Sequence, residues 1–372
     1  MKRLFGAIGR VLVSADKLIL TLALGISALS VLLLCGLAEA GFVQWRVVQV
    51  QAAAVGIGLV GALVASAFDP DDLTRLWKLY VPPVVVLMVL TYFMGTKREG
   101  SDNMSWLNLG FISIQPSEFL KIAFILTFAL HLSKVKDELH KPVNLLLVLL
   151  HGAAPVLLVL LQGDDGVTLI VAGIVAAMLF AAGISRRLVL GAVGAVVVGL
   201  PIIWFKVLSE YQRMRFMVVW NPDLDPQGGG YQQLRGLTAL GSGQMFGMGI
   251  FSENHLYVPE NYNDFIFTFL GESLGFVGCF LLLLAMAVLC GRMLQTGVLA
   301  RSLVGRYICV GVFAMFALQI AVNVSMCLMI MPVIGVTLPL VSAGGSSVLS
   351  AYAGLGLVLG VYANNNKNMF SN

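Results

Sequence analysis

Long apolar runs are the feature that most restricts what this chain can fold into. A helix needs about 20 apolar residues to cross the hydrocarbon core of a bilayer. Ten candidate runs of roughly this length occur, at 18–37, 47–68, 76–94, 117–132, 143–161, 166–184, 187–206, 266–290, 303–329 and 338–363. They are continuously apolar rather than alternating, which favours helices over a β-barrel. The sequence therefore predicts an all-α polytopic membrane protein in which residues 1–372 form a single transmembrane domain.

Composition excludes several other classes. Only 11% of the residues are charged, against about 25% in soluble domains, so the net charge of +4 does not indicate binding to nucleic acid. The five cysteines lie in apolar runs without CxxC spacing, and the four histidines form no HxxxH pattern. We expect neither a disulfide framework nor a zinc site.

The basic residues predict the orientation in the membrane. Ten spans place both termini on one side, and the loops of that side hold fifteen Lys and Arg against seven in the opposite loops. The positive-inside rule then places both termini in the cytoplasm. Thirteen of the nineteen acids lie at or near the outer face, which indicates that polar chemistry concentrates there.

The first long outer loop, 95–116, ends in ISIQPSEFLK. Gln115 and Pro116 stand where a helix would begin, and Pro suits the first helical turn. Glu118 and Lys121 are three residues apart and therefore able to pair on one face. The pair is either a local ion pair in a well-capped helix start or part of a functional site at the rim of the membrane.

The second outer loop, 207–265, is the largest polar segment. Arg213, Arg215 and Arg235 of this loop, with Lys97 and Arg98 of the first loop, would form a basic wall suited to a pyrophosphate. Snorkelling of each side chain to lipid headgroups is the alternative. The glycines of GLTALGSGQMFGMGIF indicate loop flexibility, close helix contact or a phosphate cradle, although the P-loop spacing is absent.

The last apolar run begins with helix-breaking residues. Pro339 and Gly344–Gly345 within it are tolerated where backbone lines a cavity. Close packing of helices through the glycines, Ser346 and Ser347 explains the same composition equally well. We take Ser346 and Ser347 as candidates for contact with a substrate.

Two acids lie in the stretch NDFIFTFLGESLGFVG, and their spacing separates their roles. Glu272 follows Asp264 by eight residues, which is about 80° around a helix and about 12 Å along it. This distance is too great for a catalytic pair of carboxylates. We expect Glu272 to face the interior of the bundle and to meet a polar or basic partner, with Lys121 as a candidate.

Four stretches in order resemble the SEDS family of shape, elongation, division and sporulation proteins. They are QPSEFLK at 115–121, DPQGGGYQ at 225–232, VPENYNDFIFTFLGESLGFVG at 258–278 and PVIGVTLPLVSAGGSSVLS at 332–350. The resemblance covers nearly the whole chain and looks closer to the elongation branch, RodA, than to the division branch, FtsW, with SpoVE a further relative.

This resemblance implies a peptidoglycan glycosyltransferase that polymerises lipid II at the outer face of the bacterial cytoplasmic membrane. It implies a class B penicillin-binding protein as partner, within the elongation or division machinery, and ten spans with the large loop between the seventh and eighth. The essential loop aspartate of the family corresponds to Asp264, which suits a general base. A divalent cation, Mg²⁺ or Mn²⁺, would assist a pyrophosphate leaving group. A lipid II flippase and a scaffold that activates the penicillin-binding protein are the rival hypotheses.

Overall fold

The computed structural model describes residues 15–96, 104–108, 110 and 113–366. In chain order the helices are α1 (Lys17–Glu39), α2 (Trp45–Ser66), α3 (Pro70–Arg75), α4 (Trp77–Met94), α5 (Pro116–Val135), α6 (Pro142–Leu160), α7 (Asp165–Ala181), α8 (Arg186–Ile202), α9 (Glu210–Val218), α10 (Gly229–Ser242), α11 (Ile266–Val298), α12 (Leu303–Cys327) and α13 (Gly345–Asn366). Strands β1 (Leu107–Asn108) and β2 (Ser113–Ile114) form a small antiparallel pair before α5.

The predicted helical membrane fold is confirmed. Within the described residues a helix occupies each of the ten predicted runs, and seven of these helices are long and apolar enough to cross a bilayer. The other three are α5, which carries charged residues in its first turns, and the 17-residue helices α7 and α8. In its most apolar 18-residue stretch α13 buries 83% of its residues, whereas α4 buries 11%, so α13 lies centrally and α4 peripherally.

Glycines let α13 approach α2 closely. A Cβ added at Gly356 would lie 2.7 Å from the Cα of Ala62, and one at Gly58 would lie 2.8 Å from the ring of Tyr352. Side chains at these positions would separate the two helices, since backbone approach of this kind depends on small residues.

The predicted run 338–363 begins seven residues too early, because its helix starts at Gly345. Residues 332–344 have irregular backbone, with positive φ at Gly335 and Leu340. Pro339 has no N–H to donate to a helix. The backbone polar groups are instead bonded by buried side chains from other helices, including Ser30 to the Val341 carbonyl and Gln51 to the Ser342 carbonyl.

The large loop 207–265 contains its own helices. Helix α9 begins with a capping box in which Ser209 and Gln212 satisfy each other's backbone N–H groups. After α10 the chain turns back along α11, which is broken by the non-helical Gly275 at φ 67°. The location of this loop on the outer side of the membrane stays a prediction.

The break in α11 is closed by the backbone of residues 244–249. The N–H groups of Phe276 and Val277 donate to the carbonyls of Gln244 and Met245. In return, the N–H of Met248 donates to the carbonyl of Glu272. The polar groups freed by the break are thus paired inside the protein, as a low-dielectric bundle requires.

The close approach explains the glycines in this region. A Cβ at Gly275 would lie 2.5 Å from the nitrogen of Gly247, and one at Gly243 would overlap the Gly271 carbonyl oxygen. Close helix contact, one of the interpretations of the glycine-rich stretch, is therefore correct for Gly243 and Gly247.

Gly243→Ala is predicted to destabilise the fold and Gly241→Ala is not. Gly243 has an ordinary helical φ, so alanine at this position adds no backbone strain and introduces only the overlap with α11. The overlap is expected to lower the free energy of unfolding by about 1–3 kcal/mol. A Cβ at Gly241, two residues earlier, has no atom within 4 Å. Thermal unfolding of both purified variants in detergent checks this; equal midpoints would contradict the packing described here.

Candidate functional site

Four segments distant in sequence meet at one end of the bundle. The backbone N–H of Gln115 donates to Ser346 Oγ at 3.1 Å, and its side-chain amide donates to Asp164 Oδ2 at 3.0 Å. The amide of Gln212 in turn donates to Asp165 Oδ2 at 3.0 Å. The starts of α5, α7 and α13 and the large loop are therefore tied together.

Asp264 lies at this end, on the last turn before α11, and is partly exposed. The Asn323 amide donates to its main-chain oxygen at 2.8 Å. The hydroxyl of Ser342 donates to the preceding carbonyl, that of Asn263, at 2.6 Å. The carboxylate points at Gly335, where an added Cβ would lie 3.5 Å from Oδ2. The structure thus holds an accessible carboxylate on a fixed backbone against the segment 332–344.

Two clefts share Tyr262 among their lining residues, and Asp264 is a lining residue of neither. The larger, about 620 Å³, is mostly polar and aromatic, and is lined by Phe42, Arg215, Val218, Asp225, Gln227, Gly228, Gly229, Tyr231, Gln232, Gln233, Tyr257, Pro259, Glu260, Asn261, Tyr262 and Val333. The smaller, about 250 Å³, is mostly apolar and is lined by Gln44, Arg46, Val47, Val50, Gln51, Tyr262, Ala343, Gly344 and Gly345.

The predicted basic wall is assembled only in part. Arg215 lines the larger cleft, together with the acids Asp225 and Glu260. The guanidinium of Arg235 lies 5.6 Å from the ring centre of Tyr231, and Arg213 is half-buried. Lys97 and Arg98 lie outside the described residues. Substrate contact by these five residues stays a prediction.

Glu118 and Lys121 form the local ion pair that their spacing predicts. Lys121 Nζ lies 2.8 Å from Glu118 Oε1, and Ser350 of α13 donates to the other carboxylate oxygen. Both charged side chains are buried, at 2% and 0% exposure. In this structure the pair joins α5 to α13 and does not line either cleft, and contact with substrate stays a prediction.

The serines of the last motif also bond within the protein. Ser346 accepts from Gln115, and Ser347 Oγ lies 2.9 Å from the hydroxyl of Thr337. Gly344 and Gly345 line the smaller cleft, and a Cβ at Gly345 would have no atom within 4 Å. Cavity lining therefore describes the glycines, whereas the serines bond to neighbouring segments in this structure, and contact of the serines with substrate stays a prediction.

Glu272 faces inward as predicted, but the prediction that Lys121 is its partner is wrong. Glu272 accepts from the backbone N–H of Leu256 at 2.8 Å and lies 3.0 Å from His255 Nδ1. Lys121 is instead occupied by Glu118 on its own helix. The carboxylate therefore holds residues 255–256 of the large loop against α11.

His255 is a residue that sequence reasoning missed. Its Nε2 faces the carbonyl of Ile250 at 3.2 Å while its Nδ1 faces Glu272. The two ring nitrogens are thus held from two sides, by a side chain of α11 and by the backbone of the large loop. A lone His in a polar loop carries no sequence signal for this contact.

Asp164 is a second missed residue. It caps α7 by accepting from the N–H of Val167 at 3.0 Å and it also accepts from Gln115. Burial raises the pKa of this carboxyl to about 6, because desolvation disfavours the charged form. The acidic run QGDDG before an apolar helix indicates the cap, but not its burial.

No cluster of three or more His, Cys, Asp or Glu side chains able to hold a metal ion occurs among the residues that the structure describes. Cys35, Cys279, Cys290, Cys309 and Cys327 are free thiols.

Residues 14–367 match the family model of FtsW, RodA and SpoVE proteins, described as "Cell cycle protein". The chain belongs to this family and is a multi-pass membrane protein. Peptidoglycan glycosyltransferase MrdB of Escherichia coli is 35% identical over 313 residues, which are 83% of each chain. Stage V sporulation protein E of Bacillus subtilis is 36% identical over 313 residues, 82% of this chain and 84% of the relative.

Solved structures show the same fold. A chain described under "Structural coordination of polymerization and crosslinking by a peptidoglycan synthase complex" superposes with a TM-score of 0.79 at 28% identity, covering 95% of this chain and 99% of that one. The rod shape determining protein RodA of Thermus thermophilus superposes with a TM-score of 0.70 at 26% identity, covering 95% and 98%. The predicted family resemblance is confirmed.

Lys121→Met is predicted to lower the free energy of unfolding by about 3–5 kcal/mol, because it leaves the buried Glu118 carboxylate without its counter-charge. Lys141→Met is the matched control, since Lys141 pairs with Glu138 at the same spacing but with both side chains more than half exposed. The free energy of unfolding of Lys141→Met is expected to change little, because exposed ion pairs contribute little to stability. Thermal unfolding of the two variants measures the difference, and similar losses for both would refute the importance of burial.

Asp164→Asn is predicted to flatten the dependence of stability on pH. The stability contributed by a carboxyl with a raised folded-state pKa is complete below its ordinary pKa of 3.8 and is lost as the pH rises through 6. The loss amounts to about 3 kcal/mol, while Asn retains the helix cap. Unfolding midpoints of the wild type and Asp164→Asn, measured between pH 4 and 7.5, check this prediction. Parallel curves for the two proteins would contradict a raised pKa at Asp164.

Proposed function

We propose that this chain is a peptidoglycan glycosyltransferase that polymerises lipid II into glycan strands for cell elongation. The relatives named as peptidoglycan glycosyltransferases match over more than four fifths of their length. The observation that carries the assignment to a site is the partly exposed Asp264, held on bonded backbone two residues from Tyr262, which lines both clefts.

In this proposal Asp264 is the general base. The hydroxyl of the acceptor sugar attacks the anomeric carbon of the donor, and its proton passes to the Asp264 carboxylate. The electron pair of the breaking bond leaves with the lipid-linked pyrophosphate. Attack opposite to the leaving group inverts the anomeric centre, which is the geometry of a single displacement.

The two clefts suit a reaction between two substrates. The larger has tyrosines with amide and carboxylate side chains, which match the apolar faces and hydroxyls of sugars. The smaller is apolar with Arg46 among its lining residues, which matches a lipid-linked phosphate. Tyr262, shared by both clefts, is two residues from Asp264, so the reacting groups would meet beside the base.

The leaving pyrophosphate requires positive charge. Arg215 in the larger cleft is one source, and Arg213, Arg235, Lys97 and Arg98 remain candidates from the sequence. Mg²⁺ or Mn²⁺, if held by the Asp225 and Glu260 carboxylates of the larger cleft, would add positive charge next to the pyrophosphate.

The proposed setting is the bacterial cytoplasmic membrane, with both termini in the cytoplasm and Asp264 on the outer side. The excess of basic residues in the loops on the side of the termini supports this orientation. A class B penicillin-binding protein would crosslink the strands; the synthase complex that the fold matches coordinates polymerisation and crosslinking.

Asp264→Ala is predicted to abolish polymerisation of purified lipid II by the chain together with its penicillin-binding protein partner. Asp223→Asn, which changes an exposed acid of the same loop, is the control and is expected to retain activity. Gel analysis of the glycan strands measures both. Polymer from Asp264→Ala would refute the role of the base, and no polymer from the wild type would favour the flippase or scaffold hypotheses.

A further inference from the structure

Asn323 is fully buried in α12 and joins the two segments that face each other at Asp264. Its amide nitrogen donates to the main-chain oxygen of Asp264 at 2.8 Å and to that of Val336 at 2.7 Å. A side-chain amide has two N–H donors, so both are used. The side chain is 0% exposed and therefore does not exchange these bonds for water.

Its orientation follows from its neighbours. Both carbonyls accept, so the nitrogen rather than the oxygen of the amide must face them. The amide oxygen lies 3.9 Å from Cys327 Sγ, one turn further along α12. The thiol is also 3.7 Å from the Asp264 carbonyl, so α12 presents a small polar patch to this one peptide group.

The two bonds determine where the carboxylate lies. Val336 follows Gly335, the residue that the Asp264 carboxylate faces. Asn323 therefore holds both the backbone that carries the carboxylate and the backbone against which it rests. Ser342 fixes the carbonyl of Asn263 on the other side of the Asp264 Cα, so the peptide groups before and after this Cα are both bonded.

We propose that Asn323 is a positioning residue for Asp264, acting through the backbone without touching substrate. This inference rests on the proposed role of Asp264 as the base. A general base works only within hydrogen-bond reach of the proton that it accepts, and a displacement of about 1 Å reduces turnover by about 100-fold. Loss of the amide frees Asp264 and the segment 332–344 to move independently of each other.

The test compares Asn323→Leu, which keeps the size and removes both donors, with Gln162→Leu. Gln162 is also a buried amide that fastens one segment to another, since it donates to the Met88 carbonyl at 2.8 Å, but it does not contact Asp264. The assay is polymerisation of lipid II by the full chain with its penicillin-binding protein partner, at several substrate concentrations.

Asn323→Leu is expected to lower kcat by about 10- to 100-fold with KM within about twofold, whereas Gln162→Leu keeps wild-type kcat per folded molecule. Should Asn323→Leu fail to fold, Asn323→Thr replaces it, because its hydroxyl retains one donor. Wild-type kcat in the folded Asn323 variant, or an equal loss in Gln162→Leu, would overturn the inference. Asp264→Asn in the same assay separates the role of Asn323 from the proposed function. An active Asp264→Asn variant would refute the role of Asp264 as the general base.

Discussion

The satisfaction of backbone polar groups inside an apolar bundle is the constraint on which the rest of this structure depends. Residues 332–344 before α13 and the break at Gly275 in α11 leave regular helix in the interior. An unpaired backbone group in such surroundings costs several kcal/mol. Buried side chains bond the first segment, and the backbone of residues 244–249 bonds the second. The bonds that make the irregular backbone tolerable also determine where Asp264 lies.

Buried charge follows the same logic. Glu118 is paired with Lys121, and Glu272 with His255 and a backbone N–H. Each carboxylate joins two elements of the fold, Glu118 joining α5 with α13 and Glu272 joining α11 with the large loop. Breaking such pairs is costly even where their net contribution to stability is small. They therefore favour a single arrangement of the helices around the partly exposed Asp264.

Sequence reasoning succeeded where the signal is local. Ten apolar runs correspond to ten helices among the described residues, and the i,i+3 spacing of Glu118 and Lys121 corresponds to an ion pair. It failed where the partner lies on another element of the fold. Lys121 was an incorrect partner for Glu272, because nothing in the spacing of α11 shows that residues 255–256 return to it. The start of the last helix was misplaced because apolar composition continues through an irregular segment.

The sequence alone determined the membrane class and the helices, because these depend on the length and order of apolar runs. It indicated the family through four motifs that resemble those of known proteins. Tertiary structure alone decided which polar groups meet: Asn323 with Asp264 and Val336, His255 with Glu272, and Gln115 with Asp164. The physical reason is that a buried donor or acceptor must find a partner wherever the packing of helices places one. That partner is set by proximity in space, which the order of residues does not contain.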